Sequence, residues 1–115
     1  MISANACILI NTEQELDNIL KKKGRMFVLF YADWCGFSQR FLPIFEKCAL
    51  ETKSQCYRMI VDELPGIYKR YQVDVYPTVI FFEDGKPGQR LDGIHGIGLN
   101  EQQLRELIHI CERPQ

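Results

Sequence analysis

One cysteine of this chain stands where a strand is expected to meet a helix. Cys35 follows an apolar run at 26–32 and precedes a helical pattern that begins at about Gln39. The unpaired N–H groups and the macrodipole at a helix N-terminus favour the thiolate form of a cysteine placed there. Because the thiolate attacks disulfides and binds metals, we expect Cys35 to be a reactive sulfur.

Ser38 lies one helical turn after Cys35 and limits what that sulfur can do. A serine forms no disulfide, so release of a thiol bound to Cys35 needs another thiol from outside. The Ser38 hydroxyl either donates a hydrogen bond to the thiolate or merely fills the first helical turn, and the sequence leaves both roles open. Cys48, the next cysteine, lies about 20 Å further along the helix, which is beyond disulfide reach.

Composition and charge exclude several classes of function. The 115 residues, 46% hydrophobic and 25% charged, predict a single globular domain over 1–115. The net charge of −1 argues against nucleic-acid binding, and no apolar run reaches the roughly 18 residues of a membrane span. Five cysteines at irregular spacing do not resemble a secreted disulfide framework, so we expect a cytoplasmic protein with Cys7, Cys56 and Cys111 in its core.

The spacing of apolar residues predicts strands that alternate with helices. Strands are expected at 6–10, 25–32, 56–61, 78–83 and 89–94, and helices after Thr12, over 36–52, over 64–71 and after Asn100. Asp84 and Gly85 predict a tight turn, which makes the last two strands an antiparallel hairpin. The order predicts an α/β fold with a central mixed β-sheet of five strands flanked by four helices.

Six short motifs share their order and spacing with the thioredoxin family, which the chain resembles over essentially its whole length. They are FYADWCG at 30–36, VD at 61–62, YQV at 71–73, YPT at 76–78, DGK at 84–86 and Gly93. The resemblance implies the thioredoxin fold and a thiol–disulfide oxidoreductase or isomerase that serves cell redox homeostasis. It also implies that Cys35 is the catalytic nucleophile and that Ser38 occupies the resolving position of the catalytic pair.

The resemblance further implies where a substrate binds. In thioredoxins the proline that matches Pro77 is cis and faces the reactive cysteine, which the sequence alone does not reveal because most X–Pro bonds are trans. An apolar rim for an extended peptide is expected from Pro77 together with Trp34, Gly36, Phe37, Tyr76 and Gly93. The expected partners are protein or small-molecule thiols and disulfides, glutathione among them. We expect a monomer with no metal, no cofactor, and no nucleic-acid or membrane partner.

Three positions depart from the thioredoxin pattern. Thioredoxins have cysteine at the position of Ser38, proline at Phe37 and a buried aspartate at Leu29. That aspartate helps to deprotonate the resolving cysteine, so the cysteine and its base are both missing here. An engineered trap of a dithiol enzyme would explain Ser38 but not Leu29, which favours a natural serine while both origins stay open. Arg58, which matches a lysine near that aspartate, is expected to point to solvent.

The residues 35–38, CGFS, also spell the active-site motif of monothiol glutaredoxins. Those proteins use the cysteine and glutathione to hold a [2Fe–2S] cluster between two protomers. Here Trp34 and the residues 84–86 are thioredoxin-like, and no Gly-Gly-x-Asp glutathione segment is evident near 85–96. Glutathione-dependent cluster binding therefore stays an alternative. A second alternative is a non-catalytic binding module that presents the apolar rim and Cys35 to a partner.

Overall fold

The computed structural model describes residues 7–61 and 64–112, which form five strands and four helices. In chain order they are β1 (Cys7–Ile10), α1 (Glu13–Leu20), β2 (Arg25–Tyr31), α2 (Gly36–Ala49), β3 (Gln55–Ile60), α3 (Pro65–Tyr71), β4 (Thr78–Glu83), β5 (Lys86–Asp92) and α4 (Glu101–Cys111). Each predicted element is present, with boundaries shifted by up to three residues. Ala6, where the first strand was expected to begin, lies outside the described residues. Within the described part of the chain, no helix is both long and apolar enough to cross a bilayer.

The strands form one sheet in the spatial order β1-β3-β2-β4-β5. β1, β3 and β2 run parallel, whereas β4 is antiparallel to β2 and β5 is antiparallel to β4. Parallel neighbours need long crossover connections, which α1 and α2 supply, while the antiparallel pair β4–β5 needs only a tight turn. The predicted α/β fold with a mixed five-stranded sheet is confirmed.

The central strand β2 is buried on both faces because alternate side chains enter two separate cores. On one face its residues pack with α2 and α4 in a cluster that includes Phe27, Leu29, Tyr31, Phe41, Phe45 and Leu104. On the other face they pack with α1 and α3 in a cluster that includes Met26, Val28, Phe30, Leu16 and Ile67. The end of β2 is therefore held from both sides, and it leads directly into the segment that carries Cys35.

Two helices begin at the caps that the sequence predicts. The Thr12 Oγ1 accepts a hydrogen bond from the Glu15 N–H at 3.1 Å at the start of α1. At the start of α4, the Asn100 side chain accepts from the Gln103 N–H and the Gln103 side chain accepts from the Asn100 N–H, both at 2.9 Å. These bonds satisfy backbone donors that have no partner inside the helix.

The β4–β5 hairpin has the predicted tight turn, but β5 begins earlier than the sequence suggested. Asp84 and Gly85 both have positive φ, 52° and 84°, as a two-residue hairpin turn of the primed type requires. Pairing starts at once with Glu83 opposite Lys86. β5 therefore begins at Lys86, three residues before the predicted start at 89.

The end of α4 is tied to the connection between α2 and β3 by Glu112. Its Oε2 accepts hydrogen bonds from the Thr52 Oγ1 at 3.0 Å, the Lys53 N–H at 3.1 Å, and the Ser54 N–H and Oγ at 2.9 and 2.7 Å. Burial alone would raise the pKa of Glu112, but the hydrogen bonds from Ser54, Thr52 and Lys53 outweigh it and lower that pKa. The carboxylate thus helps to hold α4 over the core face that contains Leu29.

Candidate active site around Cys35

Cys35 is the N-cap residue of α2, placed shortly after the end of β2. Its backbone is extended, with φ −86° and ψ 124°, and its carbonyl accepts from the Gln39 N–H at 2.9 Å. Its own N–H donates to Ala32 O at 3.1 Å, which closes the turn between strand and helix. The side chain makes no capping hydrogen bond and is partly exposed. The cysteine thus stands at a helix N-terminus and can be reached from solvent, as the sequence predicts.

Of the other four cysteines, three are buried and one is half-buried. Cys7, Cys48 and Cys56 are buried in the core shared by β2, α2 and α4, and the half-buried Cys111 packs against the same core. The core prediction is confirmed for Cys7, Cys56 and Cys111. Burial raises the pKa of the Cys7 and Cys56 thiols to about 12 and of Cys111 to about 11, and it also raises the pKa of Cys48. These four thiols are poor nucleophiles at neutral pH, which leaves Cys35 as the candidate reactive thiol.

Ser38 is fully buried in the first turn of α2. Its Oγ accepts a hydrogen bond from the Ala32 N–H at 3.3 Å and so joins the helix to the end of β2. Among the hydrogen bonds of the residues described, none joins Ser38 to the Cys35 sulfur. The structure thus shows the packing role for Ser38, and an influence of its hydroxyl on the Cys35 thiolate stays a prediction.

The residues of the predicted apolar rim meet beside this turn. The Tyr76–Pro77 peptide bond is cis, as the resemblance implies. The Trp34 and Tyr76 rings contact each other edge to face, with 6.2 Å between their centroids and 89° between their planes. Trp34 directly precedes Cys35 and is 64% exposed. The ring contact therefore brings the cis-proline segment against the segment that carries the reactive cysteine.

Gly93 touches the backbone of the cis-proline segment. A Cβ atom added at Gly93 would lie 3.3 Å from Tyr76 O and 2.6 Å from Pro77 O, and the second distance is closer than real Cβ atoms approach another atom. Glycine is needed here because no larger residue permits this approach. The structure thus places Gly93 with Pro77 and Tyr76, the grouping that the resemblance implies.

Phe37 packs against residues that the sequence analysis missed. A Cβ atom added at Gly98 would lie 2.9 Å from Phe37 Cδ1, and the Arg40 Cζ lies 5.0 Å from the centroid of the Phe37 ring, within cation–π range. Gly36 is exposed, and a Cβ atom added there would meet only the Arg40 Nη1, at 3.7 Å. The sequence feature that could have indicated these contacts is the repeated glycine at 93, 96 and 98. Glycine within such a segment often marks a place where another part of the chain approaches closely.

Arg58 does not point to solvent, so that expectation is wrong. It pairs with Leu29 across β2 and β3, and its Nη1 donates to Cys7 O at 3.4 Å. The Arg58 Nε is inaccessible to solvent and has no partner among the described residues. The reason is that Arg58 lies on the same face of β3 as Cys56, the face that packs in the core with α2 and α4. Leu29 itself is fully buried and supplies no proton acceptor, and Asp62 of the VD motif lies outside the residues described.

Residues 7–61 and 64–112 hold no group of three or more His, Cys, Asp or Glu side chains able to bind a metal ion. His95 and His109 are both exposed, on the segment after β5 and on α4. The arrangement therefore offers one nucleophilic sulfur at a helix N-terminus, a cis-proline and an exposed aromatic ring. This fold and this site define the class of the thioredoxin-like thiol–disulfide oxidoreductases.

Comparison with known proteins identifies the family within that class. The family model for thioredoxin matches residues 7–109. The thioredoxin of Mycoplasmoides gallisepticum is 35% identical over 100 residues, which cover 86% of this chain and 96% of that protein. The chain belongs to the thioredoxin family.

Solved structures show the same fold. A mutant thioredoxin from Halobacterium salinarum NRC-1 has a TM-score of 0.83 at 27% identity, covering 100% of this chain and 98% of that one. A second similar chain comes from a structure of the thiol resolving mechanism in yeast mitochondrial 1-Cys peroxiredoxin via glutathione/thioredoxin systems. Its TM-score is 0.79 at 26% identity, with 95% of this chain and 99% of that one covered. The thioredoxin fold expected from the sequence is thereby confirmed.

Proposed function

We propose that this protein is a monothiol member of its family that forms mixed disulfides through Cys35. The Cys35 thiolate attacks one sulfur of a protein or glutathione disulfide. The substrate S–S bond breaks as the new one forms, and the other sulfur leaves as a thiolate that takes up a proton. A thiol from outside then attacks the mixed disulfide, forms a disulfide with the bound sulfur and frees Cys35.

The observation that carries this proposal is the buried serine at the resolving position. Ser38 lies one turn after Cys35 and points its Oγ at the Ala32 N–H instead of presenting a thiol. Cys48 is buried in the core further along the same helix, and burial raises its pKa. All five cysteines lie within the described residues, and the four besides Cys35 are buried in the core or, for Cys111, half-buried against it, so we infer that no second thiol of the chain releases a substrate from Cys35.

The apolar rim supports a polypeptide disulfide as the substrate. Trp34 presents most of its ring to solvent next to the reactive cysteine, and its edge-to-face contact with Tyr76 holds it there. An exposed apolar surface beside a nucleophile gives an extended chain a place to dock while its disulfide is attacked. We assign substrate binding to Trp34, Tyr76, Pro77 and Gly93.

Glutathione is the outside thiol that we propose. The similar structure from yeast names glutathione and thioredoxin systems together in the resolution of a peroxiredoxin thiol. A reducing cytosol, which the cysteine pattern led us to expect, would supply glutathione in excess. We further propose that the protein acts as a monomer, so that release depends on the outside thiol and not on a second copy of the chain.

The test is to capture the mixed disulfide. Reduced protein is incubated with a short peptide disulfide, the excess peptide is removed, and the adduct is mapped by mass spectrometry. We expect one adduct, at Cys35, that persists in buffer and disappears when glutathione is added. The Cys35→Ser variant is the control and should form no adduct.

Several outcomes would contradict the proposal. Adducts at Cys48 or Cys56 would show that the nucleophile is a cysteine outside the CGFS segment at 35–38. Release in buffer without added thiol would reveal an internal resolving group, or a partner protomer if the release slows on dilution. An adduct that forms only as slowly as with a buried thiol would favour the non-catalytic binding module. Iron and acid-labile sulfide in anaerobically purified protein would favour cluster binding instead.

A further inference from the structure

One arginine near the reactive cysteine has no acidic partner. Arg40 lies in the second turn of α2, is exposed, and takes part in none of the ion pairs among residues 7–61 and 64–112. Of the other five arginines described there, four pair with a carboxylate, and Arg58 donates to the Cys7 carbonyl. A guanidinium that binds neither a carboxylate nor a carbonyl keeps its donors free for a ligand. Arg40 is therefore a candidate contact for an anion from outside the chain.

The Arg40 guanidinium is held over an aromatic ring. Its Cζ lies 5.0 Å from the centroid of the Phe37 ring, within cation–π range. Phe37 in turn packs against Gly98, where an added Cβ would lie 2.9 Å from the Phe37 Cδ1. Thioredoxins have proline at the position of Phe37, and a proline has no aromatic face on which a guanidinium can lie. Phe37, a departure from the thioredoxin pattern, thus positions Arg40.

This position is next to the residue that follows the reactive cysteine. A Cβ added at Gly36 would lie 3.7 Å from Arg40 Nη1, and Gly36 directly follows Cys35. In a mixed disulfide the two cysteine Cα atoms lie about 5.5 Å apart, and the next Cα of the substrate lies about 3.8 Å further along its chain. A carboxylate on that next residue is thus within reach of Arg40. Carboxylates are the groups that the arginine fork binds with two parallel hydrogen bonds.

We propose that Arg40 binds a carboxylate on the residue next to the substrate cysteine, so that Cys35 attacks disulfides with such a carboxylate in preference to neutral ones. This assignment rests on the proposed function, because attack by Cys35 is what brings the substrate carboxylate to Arg40. Two sources offer this chemistry. One is the glycine carboxylate of oxidised glutathione, and the other is an acidic side chain next to a disulfide cysteine in a polypeptide.

Two symmetric peptide disulfides measure the preference. Both peptides are blocked at their ends and differ only in the residue after cysteine, which is aspartate in one and its neutral isostere asparagine in the other. The aspartate charge also changes the reactivity of the disulfide itself, so the ratio of the two rates of Cys35 adduct formation is compared between protein variants. The aspartate-to-asparagine ratio of the parent should exceed that of Arg40→Gln by about threefold at low salt, as expected for an exposed ion pair.

Two further measurements separate an ionic contact from a structural role of Arg40. Arg40→Lys keeps the charge but loses the planar fork, so it should retain about twofold of the excess over Arg40→Gln. Raising the salt to about 0.5 M should reduce the excess of the parent to less than about 1.5-fold, because salt screens exposed charges. The rate with the asparagine peptide should be the same in the parent and in Arg40→Gln.

A second pair of disulfides distinguishes the two sources of the carboxylate. Oxidised glutathione is compared with its derivative in which both glycine carboxylates are amides. If Arg40→Gln lowers the preference for oxidised glutathione over this amide, the glutathione carboxylate binds at Arg40. If it lowers only the preference for the aspartate peptide, the carboxylate that binds is an acidic side chain of a polypeptide. Either result supports the assignment and identifies the source.

Lys53→Gln is the matched control, because it removes the same unit of charge. Lys53 is exposed and lies beyond the far end of α2, a helix about 21 Å long. This variant should keep the ratios of the parent.

Three outcomes would overturn the Arg40 assignment alone. They are ratios in Arg40→Gln equal to those of the parent, an equal loss in Lys53→Gln, and a slowing of all four disulfides alike in Arg40→Gln. If the parent forms a Cys35 adduct with none of the four disulfides, the proposed function fails and the Arg40 assignment fails with it.

Discussion

Replacing Ser38 by cysteine should restore the resolving step. Positions 35 and 38 are one helical turn apart, so their Cα atoms lie about 5 Å from each other, within the range of disulfides. We expect Ser38→Cys to form the 35–38 disulfide and to release a bound peptide without any outside thiol. The parent protein should hold the same peptide until glutathione is added, since its residue at position 38 is a buried serine, which has no thiol.

The size of the gain follows from two opposing factors. An internal thiol with an effective molarity of only about 1 M exceeds an outside thiol at about 1 mM by about 10³-fold, and well-oriented groups reach far higher values. Against this, a thiol introduced at the buried position 38 would be disfavoured in its thiolate form. Burial has the same effect at Cys56, where it raises the pKa of the thiol to about 12. At pH 7 such a pKa leaves about 10⁻⁵ of the thiol ionised, compared with about 3 × 10⁻² for an ordinary cysteine.

A more basic thiolate is also a better nucleophile, which offsets part of this loss. A Brønsted coefficient of about 0.45 over about 3.5 pKa units gives back about 40-fold, so the net penalty is about 10². Release from Ser38→Cys should therefore be about tenfold faster than release from the parent with about 1 mM glutathione. Because Leu29 supplies no proton acceptor, the rate should rise about tenfold per pH unit from pH 7 to about pH 9.

The assay follows free peptide released from the purified Cys35 adduct by liquid chromatography. Ser38→Ala is the control, since it removes the hydroxyl without adding a thiol and should hold the peptide as the parent does. Circular dichroism and the mass of the oxidised protein establish that Ser38→Cys is folded and forms its disulfide. If that variant releases peptide no faster than Ser38→Ala, the argument from the resolving position is wrong.

The geometry supports three further predictions. Iodoacetamide at pH 7 should alkylate Cys35 at least about tenfold faster than Cys56, whose thiol burial keeps protonated, and mass mapping that found Cys56 first would contradict this. Gly93→Ala should slow adduct formation by about tenfold in a stopped assay, because its Cβ would lie 2.6 Å from Pro77 O; an unchanged rate would show that the approach is not needed. Glu112→Gln should lower the free energy of unfolding by about 1 kcal/mol at pH 7. The folded pKa of Glu112 is lowered, so its contribution is complete above the unfolded pKa of about 4.3 and is lost as pH falls through the folded value; equal losses at pH 3 and pH 7 would refute it.

The regular elements could be predicted because their signals are local. The run at 78–83 is apolar and β-branched, and β4 spans those same residues. Thr12 and Asn100 are capping residues followed three positions later by a suitable partner, and both cap their helices. The start of β5 was missed because its first residues, Lys86, Pro87 and Gly88, have no alternating apolar pattern, although pairing resumes directly after the predicted turn.

The candidate site could be predicted only in part. Cys35 follows from its place between a strand and a helix, whereas the grouping of Tyr76, Pro77 and Gly93 with it came from the resemblance to thioredoxins. The contact of Gly98 with Phe37 was missed because it joins two segments about sixty positions apart, and no local pattern records such a contact. Arg58 was placed wrongly because its side chain lies on the face of β3 that packs with α2 and α4, and the sequence of that strand does not report which face is covered.

Residue types and their spacing along the chain are enough to set the chemistry that is possible. They supply one cysteine at a helix N-terminus, a serine in place of the resolving cysteine, and leucine in place of the acid. The packed fold, in contrast, determines which thiols are shielded, where the Ser38 hydroxyl is directed, and that Arg40 lies over the Phe37 ring beside the site. Burial and long-range contact depend on how the sheet and helices pack, and that packing is a property of the whole chain.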